Sequence, residues 1–129
     1  MPGTWLIGEH PEGAGRRQDT QARRWRAVLL GLAERDGSGP AGADALDELE
    51  RLAATDGIGV VDRMVQVRDR PDPATYLGSG KVSELAELVE TEDADLVIAE
   101  GELTPAQVRG LEDRVGVRVV DRTGLILDI

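Results

Sequence analysis

The chain has 129 residues, a length that suits one domain, and its 31% charged and 40% hydrophobic residues are the balance of a soluble globular protein. It has no cysteine, which excludes disulfides, thiolate metal sites and cysteine nucleophiles together, and with no Phe and one Tyr it is a poor source of base-stacking platforms. Six arginines face five acids in residues 1–40, so residues 41–129 carry −11 of the net −10, a sign that disfavours autonomous binding to DNA or any other polyanion.

Residues 1–24 are rich in Gly, Arg, Gln and Glu without any period, and are read as a mobile tail. Their one apolar run, Trp5-Leu6-Ile7, is too short for a signal-peptide core. No stretch approaches the ~20 apolar residues of a membrane span, so a cytoplasmic protein is expected. Ala27 to Leu32 is a continuous apolar run, the pattern of a strand buried on both faces. Ala41 to Ala54 has helical spacing, with Leu46, Leu49 and Ala53 on one stripe and Asp47, Glu48, Glu50 and Arg51 as a solvated face. A second strand spans Ile58 to Val67, and a loop rich in Pro and Gly runs from Arg68 to Gly80.

The next helix carries Val82, Leu85, Ala86 and Val89 at i, i+3, i+4 and i+7. Ala94 to Ala99 is the third strand. Thr104-Pro105-Ala106-Gln107 announces a helix twice over, by a capping box and by Pro at its first position, and Gly116 ends it. Val117 to Val120 is the fourth strand. The order β-α-β-α-β-α-β predicts an α/β fold, a small open parallel sheet of about four strands with flanking helices. The last run, Gly124 to Ile129, ends on aliphatic residues without a polar cap. It is read as a chain truncated inside its next element, or as a terminal strand docked on the sheet, with Leu125 to Ile129 exposed.

Ligands of open parallel sheets sit at the carboxyl ends of the strands, which points to the loops 33–42, 68–80, 100–104 and 121–124. Gly37 to Gly42 spells G-x-G-x-x-G, but Glu34-Arg35-Asp36 separate it from the strand and Pro40 stiffens it, so a surface loop is expected. Gly78-Ser79-Gly80-Lys81 ends like a phosphate loop. The first glycine of a Walker A would fall at Thr75, and Val82 stands where Ser or Thr must be, so it is no NTPase loop. An anion site at the helix start, using Gly78, Gly80 and the chain's only lysine, Lys81, is an alternative that would make the protein a free-standing small-ligand or nucleotide-binding domain. Asp95 to Glu100 has the layout of a receiver-domain strand, but Glu100 replaces the phospho-accepting Asp. Glu100 and Glu102 lack His partners and are expected to be solvated, and the sole histidine, His10, has no triad partners. No residue set names a reaction or a metal.

Three ordered segments carry a resemblance to a family: Arg68-Asp69-Arg70-Pro71-Asp72-Pro73-Ala74-Thr75-Tyr76-Leu77-Gly78-Ser79-Gly80-Lys81; Asp95-Leu96-Val97-Ile98 with Glu102-Leu103-Thr104-Pro105-Ala106-Gln107; and Asp121 to Ile129. Together they resemble the N-terminal α/β domain of the HflX ribosome-associated GTPases, in register over about residues 25–129. Glu100-Gly101 departs from the family's usual acidic pair and Ser79 from its usual charged residue. The resemblance implies a protein that binds the large ribosomal subunit near the peptidyl transferase centre and splits or rescues ribosomes. It places a helical hairpin and then a G domain after Ile129, so GTP and magnesium are expected there, with no cofactor and no GTPase activity in this chain. The acidic base is then expected to contact ribosomal components or its own G domain, through local groups at Arg68, Arg70, Tyr76, Gly78, Gly80, Lys81, Arg122 and Thr123.

Overall fold

The structure, a computed structural model, describes residues 25–33 and 43–128. The expected tail at 1–24 and the glycine pattern at 37–42 lie outside the described residues. The elements are β1 (Trp25–Ala33), α1 (Ala43–Thr55), β2 (Ile58–Val67), α2 (Ser79–Thr91), β3 (Leu96–Ala99), α3 (Pro105–Val115), β4 (Arg118–Asp121) and α4 (Arg122–Asp128). The four strands form one sheet in the order β2-β1-β3-β4 with every pairing parallel, as the alternating pattern predicts.

β1 is central and is hydrogen-bonded to β2 along its whole length, with an irregularity at Ala27/Val28, and to β3 from Ala27 to Leu30. A strand flanked on both sides and covered on both faces must be apolar throughout, and β1 is buried at every position except Arg26 and Ala33. Arg26 stands at the amino edge. Its guanidinium donates to the Glu92 carbonyl at 2.7 Å and 3.1 Å, and its own N–H donates to Asp95 at 3.1 Å.

Alternation along β1 divides the core in two. Val28, Leu30 and Leu32 join Val97, Ala99 and Val119 under α2 and α3, with Val82, Leu85 and Leu111 from those helices. Trp25, Ala27 and Leu29 join Leu96 and Ile98 under α1 and α4, with Leu46, Leu49 and Leu125. The result is three layers, helices over both faces of the sheet.

The C-terminal run differs from expectation. Residues 122–128 form a helix rather than a docked strand, and Leu125 is completely buried, not exposed. Asp121, the last residue of β4, accepts the Gly124 N–H at 2.8 Å and starts that helix. Among the large apolar residues, Ile126 in α4 remains half exposed, as do Val65 and Val67 on edge strand β2.

Leu30 sits in the middle of the central strand with no exposure. Leu30→Ala is expected to cost about 2–5 kcal/mol in urea unfolding, the range for a Leu whose cavity cannot collapse. A cost below about 1 kcal/mol would contradict a close-packed β1.

Candidate functional site

In the order β2-β1-β3-β4 the chain leaves β1 in one direction and β3 in the other, so a crevice opens at their carboxyl ends. A cleft of about 220 Å³ lies at that switch point, lined by Leu32, Ala33, Arg68, Asp69, Arg70, Pro71, Tyr76, Gly101 and Glu102. One wall is the loop after β2, and the opposite wall is the loop between β3 and α3.

The loop after β2 is built by its own polar groups. Asp72 Oδ1 accepts the N–H of Ala74 at 2.7 Å and of Thr75 at 3.1 Å, and those N–H bonds hold its carboxyl below the usual range. Asp72 and Tyr76 exchange backbone hydrogen bonds at 3.0 Å and 2.9 Å. Closing so few residues into a bridge forces Tyr76 to φ 68°, a left-handed conformation that costs a bulky residue energy. The Tyr76 ring is buried, and its hydroxyl accepts the Gly101 N–H; burial first, opposed by that bond, pushes the phenol up. A Cβ at Gly101 would stand 2.6 Å from the hydroxyl, so glycine is required for this approach. Gln107 adds a second tie. It completes the capping box with Thr104 at 2.8 Å and 3.1 Å, and its Nε2 donates to the Asp72 carbonyl at 2.8 Å.

The expected contact residues fall into three groups. Arg68, Arg70 and Tyr76 come together at the cleft. The Arg68 Nε donates to the Arg70 carbonyl at 3.0 Å, and the Arg70 guanidinium has no partner among the described residues. Gly78, Gly80 and Lys81 lie at the start of α2, outside the cleft. There Gly78 N–H donates to Gln66 Oε1 at 2.9 Å, and Lys81 pairs with Glu84 of its own helix at 3.2 Å. Those two groups are therefore already engaged where a phosphate would be held. Thr123 is exposed on α4.

Arg122 is structural. It donates to Glu100 Oε2 at 3.0 Å and to Glu48 Oε1 at 2.9 Å, tying α4 to the end of β3 and to α1. Glu100 is accordingly not the solvated carboxylate the sequence implies but is only 8% exposed. Burial pushes its carboxyl above the usual range against the pull of Arg122, whereas the Arg122 hydrogen bond holds Glu48 below it. The acidic face of α1 is likewise paired, since Arg63 of β2 bridges Asp47 at 2.6 Å and Glu50 at 2.8 Å. Asp121 closes the circuit by accepting the Leu103 N–H at 2.9 Å. Sequence reading missed Gly101, Gln107 and Asp121 as site residues; only Gln107 carried a signal, its capping-box spacing. No group of residues suited to hold a metal occurs among the described residues.

Two measurements check this geometry. Gly101→Ala is expected to cost about 1–3 kcal/mol in urea unfolding, and markedly less in a Tyr76→Phe background, because the hydroxyl is the obstacle. Equal costs in both backgrounds would refute the contact. Carboxyl ¹³C titration should place Glu100 above and Glu48 and Asp72 below ordinary values, and Arg122→Ala should move Glu100 further up. The linkage signs oppose one another. Glu100 binds its proton more readily folded, so its contribution to stability rises as pH falls from neutral through its folded value towards the ordinary one. Glu48 and Asp72 contribute above their ordinary values and lose that as pH falls through their folded ones.

Comparison with known proteins agrees with this architecture. The GTP-binding GTPase N-terminal family matches residues 43–129. The chain is 44% identical over 104 residues to the GTPase HflX of Caldanaerobacter subterraneus subsp. tengcongensis, covering 81% of this chain and 23% of that protein. With the GTPase HflX of Escherichia coli K12 it shares 42% over 84 residues, 65% of this chain and 20% of that one. The chain thus spans about a quarter of the length of the curated relatives it matches. In fold it is similar to SsGBP, solved as a complex with GDP, with a TM-score of 0.58 at 14% identity over 80% of this chain and 28% of that one. The chain belongs to the GTP-binding GTPase N-terminal family, as an N-terminal domain of the HflX type.

Proposed function

We propose that this domain is the base of an HflX-type GTPase and contacts the large ribosomal subunit near the peptidyl transferase centre, serving a protein that splits or rescues ribosomes in the cytoplasm. GTP and magnesium belong, in this reading, to a G domain supplied by the rest of such a protein. Two features support a non-catalytic role here: no Walker A pattern occurs in the sequence, and among the described residues the shifts of Glu48, Asp72 and Glu100 are explained by burial or by a structural partner.

The observation that carries the contact assignment is the placement of Arg68 and Arg70 together at the carboxyl edge, with the Arg70 guanidinium unpaired among the described residues. A domain with net −11 over residues 41–129 cannot hold RNA by its overall field, so any grip must be local and sensitive to salt. Lys81 stands at the same edge of the sheet and supplies a weaker third cation, because Glu84 already neutralises part of it. Arg122 is left out of this proposed set because its guanidinium already serves Glu48 and Glu100.

Co-sedimentation with purified large subunits tests this. The wild-type chain should pellet in a salt-dependent manner. An Arg68→Ala/Arg70→Ala variant should bind several-fold more weakly, with a slope of log affinity against log salt lower by about 2, one for each phosphate contact. Absence of wild-type pelleting would remove ribosome contact from this module.

A further inference from the structure

The cleft at the switch point has a chemistry of its own. Its volume of about 220 Å³ lies below the ~300–1,000 Å³ of sites that enclose a whole nucleotide or drug-sized ligand. Leu32, Ala33, Pro71 and Tyr76 give it an apolar lining. Arg68 and Arg70 are matched by Asp69 and Glu102, so its ionic lining sums to zero and offers a ligand both signs of charge. Two of these charges, the Arg70 guanidinium and the Glu102 carboxylate, are exposed and have no partner among the described residues. The Tyr76 backbone is held at positive φ so that its ring and hydroxyl close the cleft against Gly101, a strain that the packing of the site maintains.

We propose that this cleft binds a free α-amino acid with an aliphatic side chain. A guanidinium takes a carboxylate through paired N–H bonds, and a carboxylate accepts from an ammonium. A small zwitterion with an apolar body is the ligand that uses both free charges and the lining at once, while fitting the volume. A nucleotide would exceed that volume and set its phosphate beside Asp69 and Glu102. The site shares Arg70 with the proposed ribosome contact but also requires Glu102, which a phosphate-gripping surface does not, so Glu102 distinguishes the two.

The test is an amide NMR titration of the 129-residue chain with L-leucine, with N-acetyl-leucinamide and adenosine monophosphate in parallel. Leucine should produce saturable shifts at Arg70, Tyr76, Gly101 and Glu102, with a dissociation constant of about 1 mM or tighter. Arg70→Gln and Glu102→Gln should each weaken binding at least tenfold while leaving the rest of the spectrum in place, since both side chains are exposed. The assignment is overturned by any of three results: no saturable shift with leucine, equal binding of the uncharged analogue, or wild-type affinity in Glu102→Gln. Tighter binding of the monophosphate would overturn it in favour of an anion site. Loss of leucine binding in Glu102→Gln with ribosome pelleting unchanged separates the two functions.

Discussion

Everything in this domain hangs on β1, a strand paired on both edges and buried on both faces. Its alternation sends Val28, Leu30 and Leu32 to one layer of helices and Ala27 and Leu29 to the other. A slip of one residue would exchange the two sets and mismatch both cores simultaneously. Because β1 pairs with β3 and the chain leaves these two neighbours in opposite directions, a crevice opens at their carboxyl edge. The candidate site is therefore a by-product of topology before it is a product of any particular side chain.

The short segment from Glu100 to Thr104 then organises that edge. Glu100 receives Arg122, the Gly101 N–H meets Tyr76, the Leu103 N–H meets Asp121, and Thr104 caps α3. Four contacts over five residues fasten the loop after β2 on one side and the start of α4 on the other. Magnitudes separate their roles. The exposed pair Lys81–Glu84 contributes little, whereas Glu100, being buried, makes loss of Arg122 costly, because an uncompensated charge is left behind.

Much of this was legible in the residues, and the reasons are local. The strand and helix periods gave the element order, and Thr104 with Gln107 announced the capping box that the structure contains. What could not be read depended on distant partners. Gly124-Leu125-Ile126-Leu127 has no helical period, and residues 122–128 are helical because Asp121 caps them, Arg122 reaches α1 and β3, and Leu125 fills the core. The burial of Glu100 was equally hidden, since its partner lies 22 residues away and carries no spacing signature. Of the eight expected contact residues, Arg68, Arg70 and Tyr76 share the cleft, whereas Gly78, Gly80 and Lys81 lie outside it, a distinction that only the course of the loop decides.

The docking of α4 has a consequence for any segment attached to it. Arg122 reaches Glu48 of α1, 74 residues earlier in the chain, and Glu100 at the end of β3, while Leu125 fills the core beneath α1. The direction of this helix is therefore set by parts of the sequence that meet only once the α1 face of the sheet is packed. A segment continuing from it inherits its bearing from the folded base and loses that bearing if the base opens.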